Sequence, residues 1–177
     1  DSRIVQDWKG NICEISSEHT VEYLRNAIDF CTRRWIKCPV ENWKDWEDMK
    51  TRYDASDVSR YPEDAEARGK RLENRTWPIQ INAPGPFWQL REWVGFEGLC
   101  MLFYDDPELT QDMITFWSDF VAEMLEKTFE YITPDCVHLS EDMAYKGFSM
   151  ISPEMTRKYL LPVYKRWGDI VKKAGVP

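Results

Sequence analysis

Two adjacent carboxylates, Glu141 and Asp142, end the run Asp135-Cys-Val-His-Leu-Ser-Glu-Asp142, whose apolar residues alternate as in a buried strand; Tyr145, Lys146 and Gly147 follow. Carboxylates at the point where a strand stops can orient or protonate a substrate, and a Tyr, a Lys and a flexible Gly beside them suit substrate binding. Neighbouring strand residues point to opposite faces, so Glu141 and Asp142 cannot both face a cavity while the strand stays regular. One of the two is expected to have a structural partner. The competing reading is a loop carboxylate tied to a helix or to Lys146.

A second place for chemistry runs from Gln80 and Asn82 through the turn Pro84-Gly85-Pro86 to Arg91. A guanidinium binds carboxylates bidentately, so Arg91 either pairs with an acidic group of the substrate or forms a salt bridge on its own helix surface. Cys136 and His138 fall on the same strand face, and both side chains are competent zinc ligands. Two ligands do not make a site, and with no companion pair in the sequence these two are expected to be buried packing residues. His19 is expected at the surface, and no residue is assigned to a metal.

These groups need elements to hold them. Residues 1–17 alternate polar and apolar around Trp8-Lys9-Gly10-Asn11, which suits a short hairpin with Gly-Asn at its turn. Residues 18–31 are ambiguous between helix and loop, and Pro39 makes residues 34–40 extended. Asn42 looks like the cap of a helix with Trp43, Trp46, Met49, Lys50 and Tyr53 on one stripe. A loop over 54–61 leads to a charged helix over 63–74, opened by Pro62. A strand over 77–83 then places Trp77, Ile79 and Ile81 on one face, with Gln80 and Asn82 on the other. Residues 87–103 read as a helix interrupted near Gly95 and Gly98. Asp106-Pro107 starts the longest helix, whose apolar stripe runs from Leu109 to Phe129 and predicts core packing. After the second strand, Ser152-Pro153 caps a helix reaching about Lys173. Strand, loop, helix and a Gly-bearing exit form βα order, hence an α/β fold.

Composition agrees with a folded domain, since 43% hydrophobic and 14% aromatic residues in 177 supply a core. A net charge of -8 without a clustered basic patch argues against nucleic-acid binding. No long apolar run or leader pattern is visible, so the expected location is cytoplasmic and the expected partner is a small-molecule substrate rather than a membrane. Five cysteines, odd in number and without a Cys-x-x-Cys pair, read as reduced thiols, most of them buried.

The order of motifs resembles the uroporphyrinogen decarboxylase family, which includes the corrinoid-linked methyltransferases that share its barrel. The resemblance covers most of the chain and is clearest in Trp77-Pro-Ile-Gln-Ile-Asn-Ala-Pro-Gly-Pro-Phe-Trp-Gln-Leu-Arg-Glu-Trp-Val-Gly95, continuing through Tyr104-Asp-Asp-Pro-Glu-Leu109. It resumes in Val137-His-Leu-Ser-Glu-Asp-Met-Ala144, Ile151-Ser-Pro-Glu-Met155 and Leu161-Pro-Val-Tyr164. The arginine-rich N-terminal signature of the true decarboxylases is absent, and Glu141-Asp142 stands where they usually carry Asp-Ser. The chain is in this respect more similar to the methyltransferase-like and uncharacterised branches.

The resemblance implies a (β/α)8 barrel, which needs on the order of 200 to 250 residues, so about half a barrel is expected in this chain and the sequence reads as a fragment. Residues 1–17 would be a lead-in, and residues 77–177 the best-matched βα units of one incomplete domain. Catalytic roles would fall to Glu141 and Asp142, and substrate binding to Gln80, Asn82, Arg91, Tyr145 and Lys146. A methyltransferase-type enzyme working with a corrinoid protein is the first expectation, with a zinc site lying after a later strand and no cofactor within this chain. A tetrapyrrole carboxyl-lyase and a non-catalytic binding subunit are the alternatives. Open sheet edges would favour association, a homodimer among the forms expected.

Overall fold

A computed structural model gives the structure of residues 1–7, 9–20, 22 and 33–176. Trp8 of the expected hairpin and most of the ambiguous stretch 18–31 lie outside the described residues. The architecture is mixed α/β, with two small sheets and a helical layer, and the sheets do not close into a barrel.

The N-terminal sheet is antiparallel, in the order β1 (Ser2–Gln6), β2 (Ile12–Ser16) and β3 (Arg33–Lys37). The expected hairpin is present, with Gln6 opposite Ile12 and Gly10 in the turn. Cys13 and Ile15 bury one face of β2, with Val5 and Trp35 packed beside them.

Asn42 caps α1 (Trp43–Lys50) by accepting the Asp45 N–H, and the stripe turns Trp46 and Met49 inward. Trp43 stays 42% exposed because its indole N–H donates outward to the Asp106 carboxylate at 2.9 Å. A 3-10 turn over Val58–Arg60 leads to α2 (Ala65–Leu72), which is shorter than the expected charged helix.

The remainder is a βα arrangement. Strand β4 (Gln80–Pro84) is followed by α3 (Pro86–Val94), α4 (Phe96–Asp105) and α5 (Pro107–Phe129), after which β5 (Cys136–Ser140) returns parallel to β4. Their register sets Gln80 opposite Cys136, Asn82 opposite His138 and Pro84 opposite Ser140. Strand β4 starts three residues later than the expected strand, and Trp77, assigned to its apolar face, is 59% exposed ahead of it. The helix over 87–103 breaks once: Gly95, at φ 79, separates α3 from α4, whereas Gly98 lies inside α4. Only the first glycine takes a backbone conformation that L side chains avoid, so composition alone overstated the interruption.

The last helix, α6, opens on Pro153–Met155, passes through a π-helical stretch at Thr156–Leu160 and runs on through Leu161–Lys173. Its cap is the expected one, with Ser152 Oγ accepting the Met155 N–H at 3.1 Å.

Helix α5 packs against α1, α3, α4 and α6, so the core sits around it. Trp93 lies between Trp46 and Trp117, with ring centroids at 5.0 and 5.6 Å, and Tyr53 closes the cluster against Trp93 and Phe120. The buried indoles keep their hydrogen bonds: Trp93 to the Tyr53 hydroxyl, Trp117 to the Pro84 carbonyl and Trp167 to the Ser118 carbonyl. The apolar residues of the parallel pair, Ile81, Ala83, Val137 and Leu139, join this core, which turns the polar residues of both strands away from it.

Candidate functional site

At the C-terminal tips of β4 and β5 the chain is tied together by the two carboxylates. Glu141 lies just beyond β5, and its Oε2 accepts the Trp88 N–H at 2.8 Å while Oε1 accepts the Phe87 N–H at 3.2 Å. Those donors belong to the first turn of α3, whose N-cap, Gly85, offers no side chain of its own. Glu141 therefore caps that helix from across the sheet. The Tyr164 hydroxyl of α6 donates to Oε1 at 2.6 Å, so three elements meet on one carboxylate.

Gly85 makes this meeting sterically feasible. A Cβ there would stand 2.1 Å from the Glu141 carboxyl carbon, and the Gly85 N–H also donates to the Ser140 carbonyl at 2.8 Å. Burial raises the Glu141 carboxyl above the ordinary range, opposed by the Tyr164 hydroxyl and the two backbone donors. Burial, and then the Glu141 charge, push the Tyr164 hydroxyl well above its ordinary value.

Asp142 points the other way. Its Oδ2 accepts from the Arg91 guanidinium at 2.7 Å, and its own side chain is 48% exposed. The guanidinium also lies over the Trp88 ring, 4.8 Å from the centroid. Of the two readings for Arg91, the salt bridge is the one present, but it joins α3 to the β5 tip rather than running along the helix surface. Arg91 Nε is buried with no hydrogen-bond partner.

Beyond Asp142 the chain forms a small hairpin. Met150 N–H donates to the Met143 carbonyl, and Tyr145 and Phe148 exchange backbone hydrogen bonds around Lys146 and Gly147. Tyr145 and Phe148 project into solvent, 61% and 71% exposed, with ring centroids 6.0 Å apart. Tyr145 and Lys146 thus sit on an exposed arm next to the tip, apart from the Glu141 cluster.

Gln80 and Asn82 lie on the open face of the parallel pair. Gln80 Nε2 donates to Asn82 Oδ1 at 2.7 Å, and Asn82 Oδ1 lies 3.3 Å from His138 Nδ1. Ser140 Oγ is 3.3 Å from the same nitrogen, and the Cys136 thiol donates to Gln80 Oε1 at 3.6 Å. Cys136 and His138 are exposed, which corrects their expected role as buried packing. The alternation places them on the face opposite Val137 and Leu139, and that face carries no covering element among the described residues.

Among the described cysteines only Cys13 is buried, Cys38 and Cys100 are half-buried and Cys136 is exposed, which corrects the expectation that most are buried; Cys13 and Cys38 are each pushed up to about 11, chiefly by loss of solvent. Sequence reasoning placed Gly85 and Ser140 within the two candidate stretches but gave them no role, read His138 as packing, and passed over Tyr164. The i, i+2 spacing that put Cys136 and His138 on one strand face extends to Ser140; nothing local marked Tyr164.

Among the described residues no three His, Cys, Asp or Glu side chains gather to hold a metal ion. Cys136 and His138 thus remain a pair, and these residues do not fit a zinc site by themselves. No described helix is long and apolar enough to cross a membrane. Comparison with protein-family models, curated proteins and solved structures found no match for the chain.

Proposed function

We propose that the chain supplies consecutive βα units of a (β/α)8 barrel of the uroporphyrinogen decarboxylase type, and that it acts on a small-molecule substrate at the tips of β4 and β5. The observation that carries this reading is the in-register parallel pair, apolar toward the helices and lined on its open face by Gln80, Asn82, His138 and Ser140. In such barrels the strand tips are where chemistry gathers. Asp142 is the carboxylate available to a substrate, Glu141 holds the tip in place, and Tyr145 and Lys146 reach the ligand from the hairpin.

Methyl transfer with a corrinoid protein is preferred to tetrapyrrole decarboxylation. A polycarboxylate needs several uncommitted cations, whereas the Arg91 guanidinium at this tip is already engaged by Asp142. Zinc, where the whole protein binds it, would draw its ligands from outside the described residues. A second reading, a non-catalytic binding subunit, draws on the fact that both carboxylates already have partners inside the fold.

The test is expression from the complete reading frame, followed by zinc analysis, methyl transfer from methylcobalamin to 2-mercaptoethanol, and turnover of uroporphyrinogen. Methyl transfer with bound zinc supports the reading. Decarboxylation reverses the preference, and inactivity in both assays favours the binding subunit.

A further inference from the structure

We infer that His138 is a proton acceptor for the substrate, held in one tautomer so that its Nε2 lone pair faces the open side of the β4–β5 pair. The inference rests on the proposed function for its substrate class, a small molecule with an ionisable thiol or hydroxyl, and on the hydrogen-bonded row for everything else.

The row has a direction. Asn82 Oδ1 is a carbonyl oxygen and accepts only; it already receives the Gln80 amide N–H at 2.7 Å. With the Asn82 amide oriented so that its oxygen faces the ring, His138 Nδ1, 3.3 Å away, carries the hydrogen it shares with Asn82. Ser140 Oγ, on the same nitrogen at 3.3 Å, serves as the second acceptor. The Gln80 amide is oriented in turn by the Cys136 thiol, which donates to its oxygen at 3.6 Å. With Nδ1 protonated, neutral imidazole keeps its lone pair on Nε2, and the hydrogen bond on one nitrogen decides what the other can do.

Nε2 has no hydrogen-bond partner among the described residues, and the ring is exposed beside the tip that carries Asp142. A solvated surface histidine would have no reason to be locked in this form, which an unconstrained histidine side chain populates less than the Nε2–H form. In the step assigned to it, the substrate S–H or O–H bond breaks, its electron pair stays on sulfur or oxygen, and Nε2 takes the proton to give imidazolium. The anion would then attack the methyl group of a methylated corrinoid supplied by the partner protein, the new S–C or O–C bond forming as the cobalt–carbon bond breaks and its electron pair stays on the corrinoid.

Selective ¹⁵N-histidine labelling of the full-length protein, with His138→Gln identifying the signal by its loss, reads the His138 tautomer directly. In alkaline buffer the wild type is expected to show protonated Nδ1 at His138, and Asn82→Ala to move the population to protonated Nε2. A wild-type ring already in the Nε2–H form overturns the inference whatever the enzyme turns out to do. In methyl transfer from methylcobalamin to 2-mercaptoethanol, His138→Gln is expected to lower kcat by roughly 10²- to 10⁴-fold with KM little changed. An unchanged kcat refutes the proton-accepting role. A wild type that transfers no methyl group removes the proposed function instead, and the tautomer alone then decides whether His138 is presented as described.

Discussion

Glu141 combines two conditions that ordinarily pull apart: it is half-buried, which disfavours its charge, and it accepts hydrogen bonds from Phe87, Trp88 and Tyr164, which favour it. Burial is the larger effect, so the folded protein holds the Glu141 proton more tightly than the unfolded chain does. Stability contributed by this group is complete below the ordinary carboxylate value and declines as pH rises through the raised one. Glu141→Gln does not titrate, so urea denaturation should show wild type losing stability relative to this variant across that window. A constant difference would mean that the desolvation is offset in full. The same contact makes Gly85→Ala destabilising by roughly 1–3 kcal/mol, since its methyl group would occupy the space of the Glu141 carboxyl. At this scale the sequence showed the carboxylate pair, whose members point apart although both lie beyond the end of β5, and both of them, not one, have partners within the fold. It did not reveal which member is the strut: Trp88 is 53 residues away and Tyr164 is 23, and both contacts depend on how elements meet.

Strand β5 carries opposite linkages at its two ends. At the start, Asp135 accepts from Arg75 at 2.7 Å and from the Ile79 N–H at 2.7 Å, and these bonds hold its carboxyl below the ordinary value. That stability is present above the ordinary aspartate range and is lost as pH falls through the lowered value, the reverse of the Glu141 case. The thermal-unfolding gap between wild type and Asp135→Asn should therefore narrow in acid. Helix α4 offers a contrast, because Gly98 is helical and a Cβ there would meet only Val94, at 3.8 Å. Gly98→Ala is expected to raise stability by about 0.4–1 kcal/mol, read as a higher urea midpoint. Most elements could be read in advance where a cap or a stripe announces them: Asn42 for α1, Asp106-Pro107 for α5 and Ser152-Pro153 for α6. Glycine was the weak signal, since Gly95 and Gly98 look alike in sequence and differ only in the φ that the packing of α3 on α4 demands. The π-helical stretch at Thr156–Leu160 lies just ahead of Pro162, whose missing N–H is the local marker of a disturbed helix ladder there.

In the molecule as a whole the two sheets are treated differently. The N-terminal sheet is fixed to α3 by a buried charge cluster, in which Glu92 meets Lys9 at 2.8 Å and Arg33 at 3.5 Å, while Asp7 meets Arg33 at 3.3 Å. These side chains are no more than 11% exposed, so removing one carboxylate leaves buried positive charge undercompensated. Glu92→Ala should cost roughly 3–5 kcal/mol and raise amide exchange across β1, β2 and β3 more than across α5; uniform exchange would show that the cluster does not dock the sheet. The parallel pair has no such arrangement. Parallel sheets normally bury both faces, whereas β4 and β5 form a two-stranded sheet with Gln80, Asn82, Cys136 and His138 exposed and both outer edges unpaired among the described residues. Unpaired backbone donors and acceptors on a strand edge template pairing with another strand, so the 177-residue chain by itself should self-associate as its concentration rises. Light scattering behind size exclusion would measure this. Cys136→Lys, which places a charge on the open face, should move the equilibrium toward monomer without lowering the thermal midpoint at low concentration. A chain that stays monomeric at every concentration would show that the edges are satisfied internally, and the open face of β4 and β5 would then be free to meet a ligand rather than another strand.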